Sequence, residues 1–84
     1  MTPYHEALLK CAFRYEGMAA PVDPKLLDFV YEFERGCRTG APVPKLCRWL
    51  GYIQGVLIVR GVTTVDRERD WTRPLFRPLD FPNE

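Results

Sequence analysis

Three cysteines, at positions 11, 37 and 47, and one histidine, His5, are the side chains of this 84-residue chain best suited to nucleophilic or metal chemistry. Together they make the donor set of a Cys3His zinc site. Structural zinc sites draw their ligands from tight pairs such as Cys-x-x-Cys, and the chain has none, so no metal is expected. A thiol nucleophile needs a depressed pKa and an orienting base. Cys37, between Gly36 and Arg38, is the thiol expected to be exposed, with arginines close enough to lower its pKa but no nearby feature to supply an orienting base. Cys11 and Cys47 read as small buried hydrophobes. His5 is the one available imidazole base, but it falls in a fraying first turn and reads as a surface side chain. Asp28 and Glu32 share a helix side without the apolar bracket that splits the pKa values of catalytic acids. Gly36-x-x-x-Gly40 lacks the Gly-Lys-Ser/Thr end of a phosphate loop. These residues predict a protein that is not an enzyme and takes no cofactor.

Recognition is the remaining chemistry. The net charge of +1 gives no global case for nucleic acid or acidic membranes. Charge is uneven along the chain, net −3 over residues 1–34 and +4 over residues 35–84. The stretch from Arg35 to Thr64 contains no acid and carries Arg35, Arg38, Lys45, Arg48 and Arg60. Arg35, Arg38, Lys45 and Arg48 form a candidate basic patch. If residues 24–60 are read as a helix-turn-helix, Lys45 and Arg48 lie in the first turns of the recognition helix, and Arg35 and Arg38 can reach phosphates. Against this, the helix turns apolar after Arg48 and offers only Gln54 as a base reader. Nucleic-acid binding is therefore the alternative, not the first expectation.

The elements that must position these groups are helical. A single all-α domain is expected, a small bundle of three main helices, about residues 3–17, 24–35 and 43–60, with a short fourth at 64–71. Thr2 caps the first helix and Pro3 opens it, with Gly17 closing it. Asp23 and Pro24 do the same for the second, with Gly36 as its C-terminal cap. In the third, Leu46, Leu50, Ile53 and Leu57 form one stripe, and Trp49, Tyr52, Val56, Ile58 and Val59 spread apolar groups round most of the remaining surface. A helix apolar nearly all round is expected at the centre, with Trp49 in the core. A buried strand over Tyr52–Val59 is the competing reading. Gly51 and Gly55, four apart, let another helix approach closely. Gly61 stops the helix, and Thr63 or Thr64 caps the fourth. The longest strongly apolar run, Val56–Val59, is too short to span a bilayer, and the odd cysteine count suits a reducing compartment. A cytoplasmic protein with no membrane partner is expected.

The end of the chain reads Arg73-Pro74-Leu75-Phe76-Arg77-Pro78-Leu79-Asp80-Phe81-Pro82. Prolines every four residues predict an extended tail over residues 72–84, packed on the bundle or inserted into a partner. The segment from Leu46-Cys47-Arg48-Trp49-Leu50-Gly51 through Trp71-Thr72-Arg73-Pro74-Leu75-Phe76 resembles small accessory proteins of bacteriophages and prophages of proteobacteria, over about residues 46–81. That resemblance implies a small protein in a host cytoplasm that modulates a host or phage factor, and it carries no catalytic residues to transfer. Eleven aromatic residues exceed what one small core needs, and aromatics interleaved with arginines are the usual anchors of protein interfaces. The expected role is a non-enzymatic protein-binding modulator or adaptor. Its expected contact residues are Trp71, Arg73, Phe76, Arg77 and Phe81. A homodimer is also expected.

Overall fold

Local signals place the helix starts. In the computed structural model, which describes residues 1–83, α1 spans Pro3–Ala19, α2 Pro24–Thr39, α3 Val43–Val59 and α4 Val65–Asp80. No strand occurs among the described residues. Thr2 caps α1 through its side chain and Asp23 caps α2, accepting from the Leu26 N–H at 3.0 Å. Thr64, not Thr63, caps α4. Pro3, Pro24 and Pro44 fill first-turn positions whose N–H would have no helical partner. Gly40 and Gly61 take the left-handed conformation, φ 77° and 75°, that ends α2 and follows α3.

Several boundaries run past the expected ones. α1 continues through Gly17 to Ala19, and α2 continues through Gly36 for another turn. Gly36 is not the cap but a close-contact residue: a Cβ there would lie 2.9 Å from Leu46 Cδ2, so its bare backbone lets α3 approach α2. The extra turn extends the Val30, Phe33 and Cys37 stripe, so Cys37 is fully buried instead of exposed. Cys47 lies about 100° round α3 from Leu46 and is exposed instead of buried.

The expected extended tail is instead the second half of α4, with Pro74 and Pro78 inside the helix. Each proline removes one hydrogen bond and is unfavourable by about 3 kcal/mol in a helix interior. The four-residue repeat puts both prolines on the exposed side, while Trp71, Leu75, Phe76 and Leu79 turn inward to half-buried positions. Burial of these four side chains, worth about 1.5–3 kcal/mol for each one fully buried, offsets the two lost bonds.

α1, not α3, is the central helix. It packs on α2, α3 and α4, and it buries Ala7, Leu8, Cys11, Ala12, Tyr15 and Ala19. Its small residues let neighbours close in. Leu26, Val30 and Phe33 of α2 and Leu46, Leu50, Ile53 and Leu57 of α3 complete the core. The Cα extents are 39 × 29 × 17 Å, and 17 Å holds two layers of helix but not three. α4 covers part of α1, so the outer side of the α2–α3 pair has no covering helix.

Candidate functional site

The uncovered side carries an apolar groove. Phe29 of α2 packs between two α3 aromatics, its ring centroid 5.3 Å from Trp49 and 5.2 Å from Tyr52, the latter edge-on. These rings, with Leu26 and Val56, line a depression of about 570 Å³. A second depression of about 560 Å³ continues along α3 past Gly55 to Val59, sharing Tyr52, Val56 and Arg60 with the first. Tyr52 is 59% exposed and Val59 87% exposed. A Cβ at Gly51 or Gly55 would meet nothing within 4 Å, so the glycine pair faces open space and no helix of the chain uses it. Trp49 is half-buried in the groove wall, not in the core.

The charged residues that line the groove are two basic, Lys25 and Arg60, and one acidic, Asp23. Arg60 closes one end through a 2.9 Å ion pair with Asp23, whose other oxygen caps α2. Lys25 borders the same end. At the other end Lys45 lies 4.9 Å over the Trp49 ring, and Arg48 is exposed one turn further along α3.

The residues expected to form the interfaces are scattered by the fold. Trp71 and Phe76 turn inward: Arg14 stacks 4.6 Å over Trp71, and Phe76 lies 6.1 Å from Tyr4. Arg73, Arg77 and Phe81 stay on the outer side of α4, with the Arg77 guanidinium 5.9 Å from the Phe81 ring. In the basic patch, Arg35 pairs with Glu32 at 3.2 Å, and Arg38 pairs with Glu34 at 3.1 Å and lies over Phe13. Of that patch, Lys45 reaches the groove wall at Trp49, and Arg48 is exposed one turn before Tyr52 on α3.

Sequence reasoning missed a polar cluster that is the chain's best-built constellation of ionisable groups. Glu68 accepts from Arg14 at 3.2 and 3.0 Å, from Thr63 at 2.5 Å and from the Tyr15 hydroxyl, which in turn accepts from Gln54 at 2.9 Å. Burial pushes the Glu68 carboxyl up, but the bonds from Arg14, Thr63 and Tyr15 outweigh it and hold the group below its ordinary value. Burial, then the bond to Glu68, pushes the Tyr15 phenol up. Both carboxylate oxygens are committed to neighbours, which makes this a clamp joining α1, α3 and α4.

His5 and Cys37 sit where the sequence did not put them, and Cys11 is buried as expected. His5 is buried, its Nε2 2.7 Å from the Ala41 carbonyl and its Nδ1 2.7 Å from Thr2 Oγ1, so it ties the chain start to the α2–α3 loop. Burial, together with Glu34, pushes the Cys37 thiol up to about 11, and burial takes Cys11 up to about 12. The expected exposure of Cys37 and the expected lowering of its pKa are both reversed. Glu16 and Glu34 meet between α1 and α2. Burial and the Glu34 carboxylate raise Glu16 to about 7, while Glu34, bonded to Glu16 and Arg38, is held low.

No family model, curated protein or solved structure matches the chain. No described helix is long and apolar enough to cross a membrane.

Proposed function

We propose that this chain is a non-enzymatic protein-binding module, a small modulator or adaptor, and that its contact surface is the α2–α3 groove. The observation that carries the reading is the uncovered face of α3. It sets Trp49, Tyr52, Val56 and Val59 beside the open Gly55 on a helix whose inner stripe already fills the core. An apolar strip of this kind, walled by aromatics and rimmed by polar groups, is the usual form of a protein docking site. The α4 residues Arg73, Arg77 and Phe81 are a secondary surface, because Trp71 and Phe76 are engaged in holding α4 to α1.

The nucleic-acid alternative draws less support. Arg35 and Arg38 are paired with glutamates, and the outer face of α3 offers glycine, tyrosine and valine where a reading helix needs hydrogen-bonding side chains.

Affinity capture from a lysate of the native cell tests the reading, with wild type, Gly55→Trp and Phe81→Ala run in parallel. A Cβ at Gly55 meets nothing within 4 Å and Gly55 lines the second depression, so a tryptophan there is aimed to occupy it, with circular dichroism checking that the variant is folded. The expected result is one protein retained by wild type and Phe81→Ala and lost by Gly55→Trp. Equal retention by Gly55→Trp would refute the groove. Capture of duplex nucleic acid, with affinity falling steeply in salt, would refute the protein-binding reading.

A further inference from the structure

Resting on the groove reading, we infer that its occupant is an amphipathic helix of another protein whose apolar ridge is flanked by acidic residues. The shape argument comes first. The groove runs between two packed helices on the side where a bundle would place its next helix, and α4 has gone elsewhere, onto α1. Trp49 to Val59 spans about 15 Å of helix axis, the length of about three turns. Gly55 lines the second depression with open space beside it and lets the axis of a crossing helix come close, as small residues do in tightly packed helix pairs. Two depressions of about 570 and 560 Å³ succeed one another along this line. They suit apolar anchors spaced one to two turns apart, the i, i+3 or i+4, i+7 pattern of groove-bound helices.

Charge selects the flanks. α3 contains no acidic residue. Lys25 lines the groove, Lys45 lies over the Trp49 ring, and Arg48 is exposed on α3 one turn before Tyr52; among the described residues none of them has an acidic partner within ion-pair distance. Arg60 is already answered by Asp23. Unanswered positive charge therefore stands at both ends of an apolar strip. An occupant carrying Asp or Glu at both ends of its ridge meets those charges, while one with Lys or Arg is repelled. The same argument disfavours a second copy meeting face to face, since each α3 would bring Lys45 and Arg48 to the contact.

The test is selection of a displayed library of randomised 16-residue peptides against the full chain, with Gly55→Trp as the counter-target. The expected outcome is a set of peptides with apolar residues at helical spacing and acids at the ridge ends. Their binding should be lost with Gly55→Trp and with a proline in the peptide's centre. It should weaken roughly three- to fivefold for each of Lys25→Glu, Lys45→Glu and Arg48→Glu. Peptides that need the groove but show no acidic bias, are indifferent to the charge reversals, or are proline-rich and extended would overturn the acidic-helix inference and leave the groove standing. Peptides that bind Gly55→Trp equally well, or no enrichment at all, would overturn both. Self-association of the wild type at tens of micromolar, abolished by Gly55→Trp, would name a second copy as the occupant and overturn this inference.

Discussion

Replacing Glu68 with glutamine should be among the most damaging isosteric changes the chain can suffer. The glutamine oxygen can still accept from Tyr15, but its NH2 group then faces the Arg14 guanidinium, and the ion pair is lost. Breaking a buried pair by removing one partner costs about 3–5 kcal/mol. The Glu68 side chain is 5% exposed, but that of Arg14 is 23% exposed and can turn partly to water. The loss should therefore sit at the low end, about 3 kcal/mol. In a domain of this length that corresponds to a fall of roughly 12–24 °C in Tm. Urea titrations followed by circular dichroism at several pH values are the assay. Because the folded-state carboxyl is held below its ordinary 4.5, the wild-type advantage should be complete above that value and vanish as pH falls through the lower folded-state value. An Arg14→Met/Glu68→Met double variant, which removes both charges, should recover most of the loss. A Glu68→Gln loss under about 1 kcal/mol, or a double variant no better than Glu68→Gln, would refute the view that this cluster clamps α4 to the bundle.

Other expectations follow from the same geometry. Pro74→Ala and Pro78→Ala should each raise helicity and stability, by up to about 3 kcal/mol less the unfolded-state effect of removing proline. In an extended tail the same changes would be neutral or harmful, so thermal melts of the two variants separate the cases. Raising pH from 4.5 to about 7 should lower stability through Glu16, whose folded-state carboxyl binds its proton more tightly than the unfolded one, and Glu16→Gln should flatten that part of a Tm–pH curve. With iodoacetamide at mildly alkaline pH, Cys47 should react first, and Cys11 and Cys37 only on unfolding, as read by peptide mass mapping.

The helix starts were legible because capping is local: Thr2-Pro3 and Asp23-Pro24 carry their geometry within a few residues, and Gly61 marks the turn after α3 in the same way. The end of the chain reads as extended when the local rule against proline in helices is set above its period of four. That period puts Arg73, Pro74, Arg77 and Pro78 outward and Trp71, Leu75 and Leu79 inward, an amphipathic helix whose proline face meets only water. α3 was misplaced for a different reason. A helix apolar on all sides can be buried on all sides or can keep one face for something outside the chain, and composition is the same in both cases. Cys37 is buried because Gly36 is a packing residue and not the end of α2, while Cys47 is exposed because it lies about 100° round α3 from Leu46. The bonds of His5 to Ala41 and of Glu68 to Tyr15 span 36 and 53 positions, and no periodicity in the sequence reports pairings at that distance.

The groove claim is tested most directly by amide chemical shifts of the isotope-labelled full chain titrated with the most strongly enriched acidic peptide. The account predicts saturable shifts centred on Phe29, Trp49, Tyr52, Gly55 and Val56, with Lys45 and Arg48 moving at the rim and Trp71–Phe81 unmoved. Shifts centred on Arg73, Arg77 and Phe81, or spread over the surface without saturation, would contradict it.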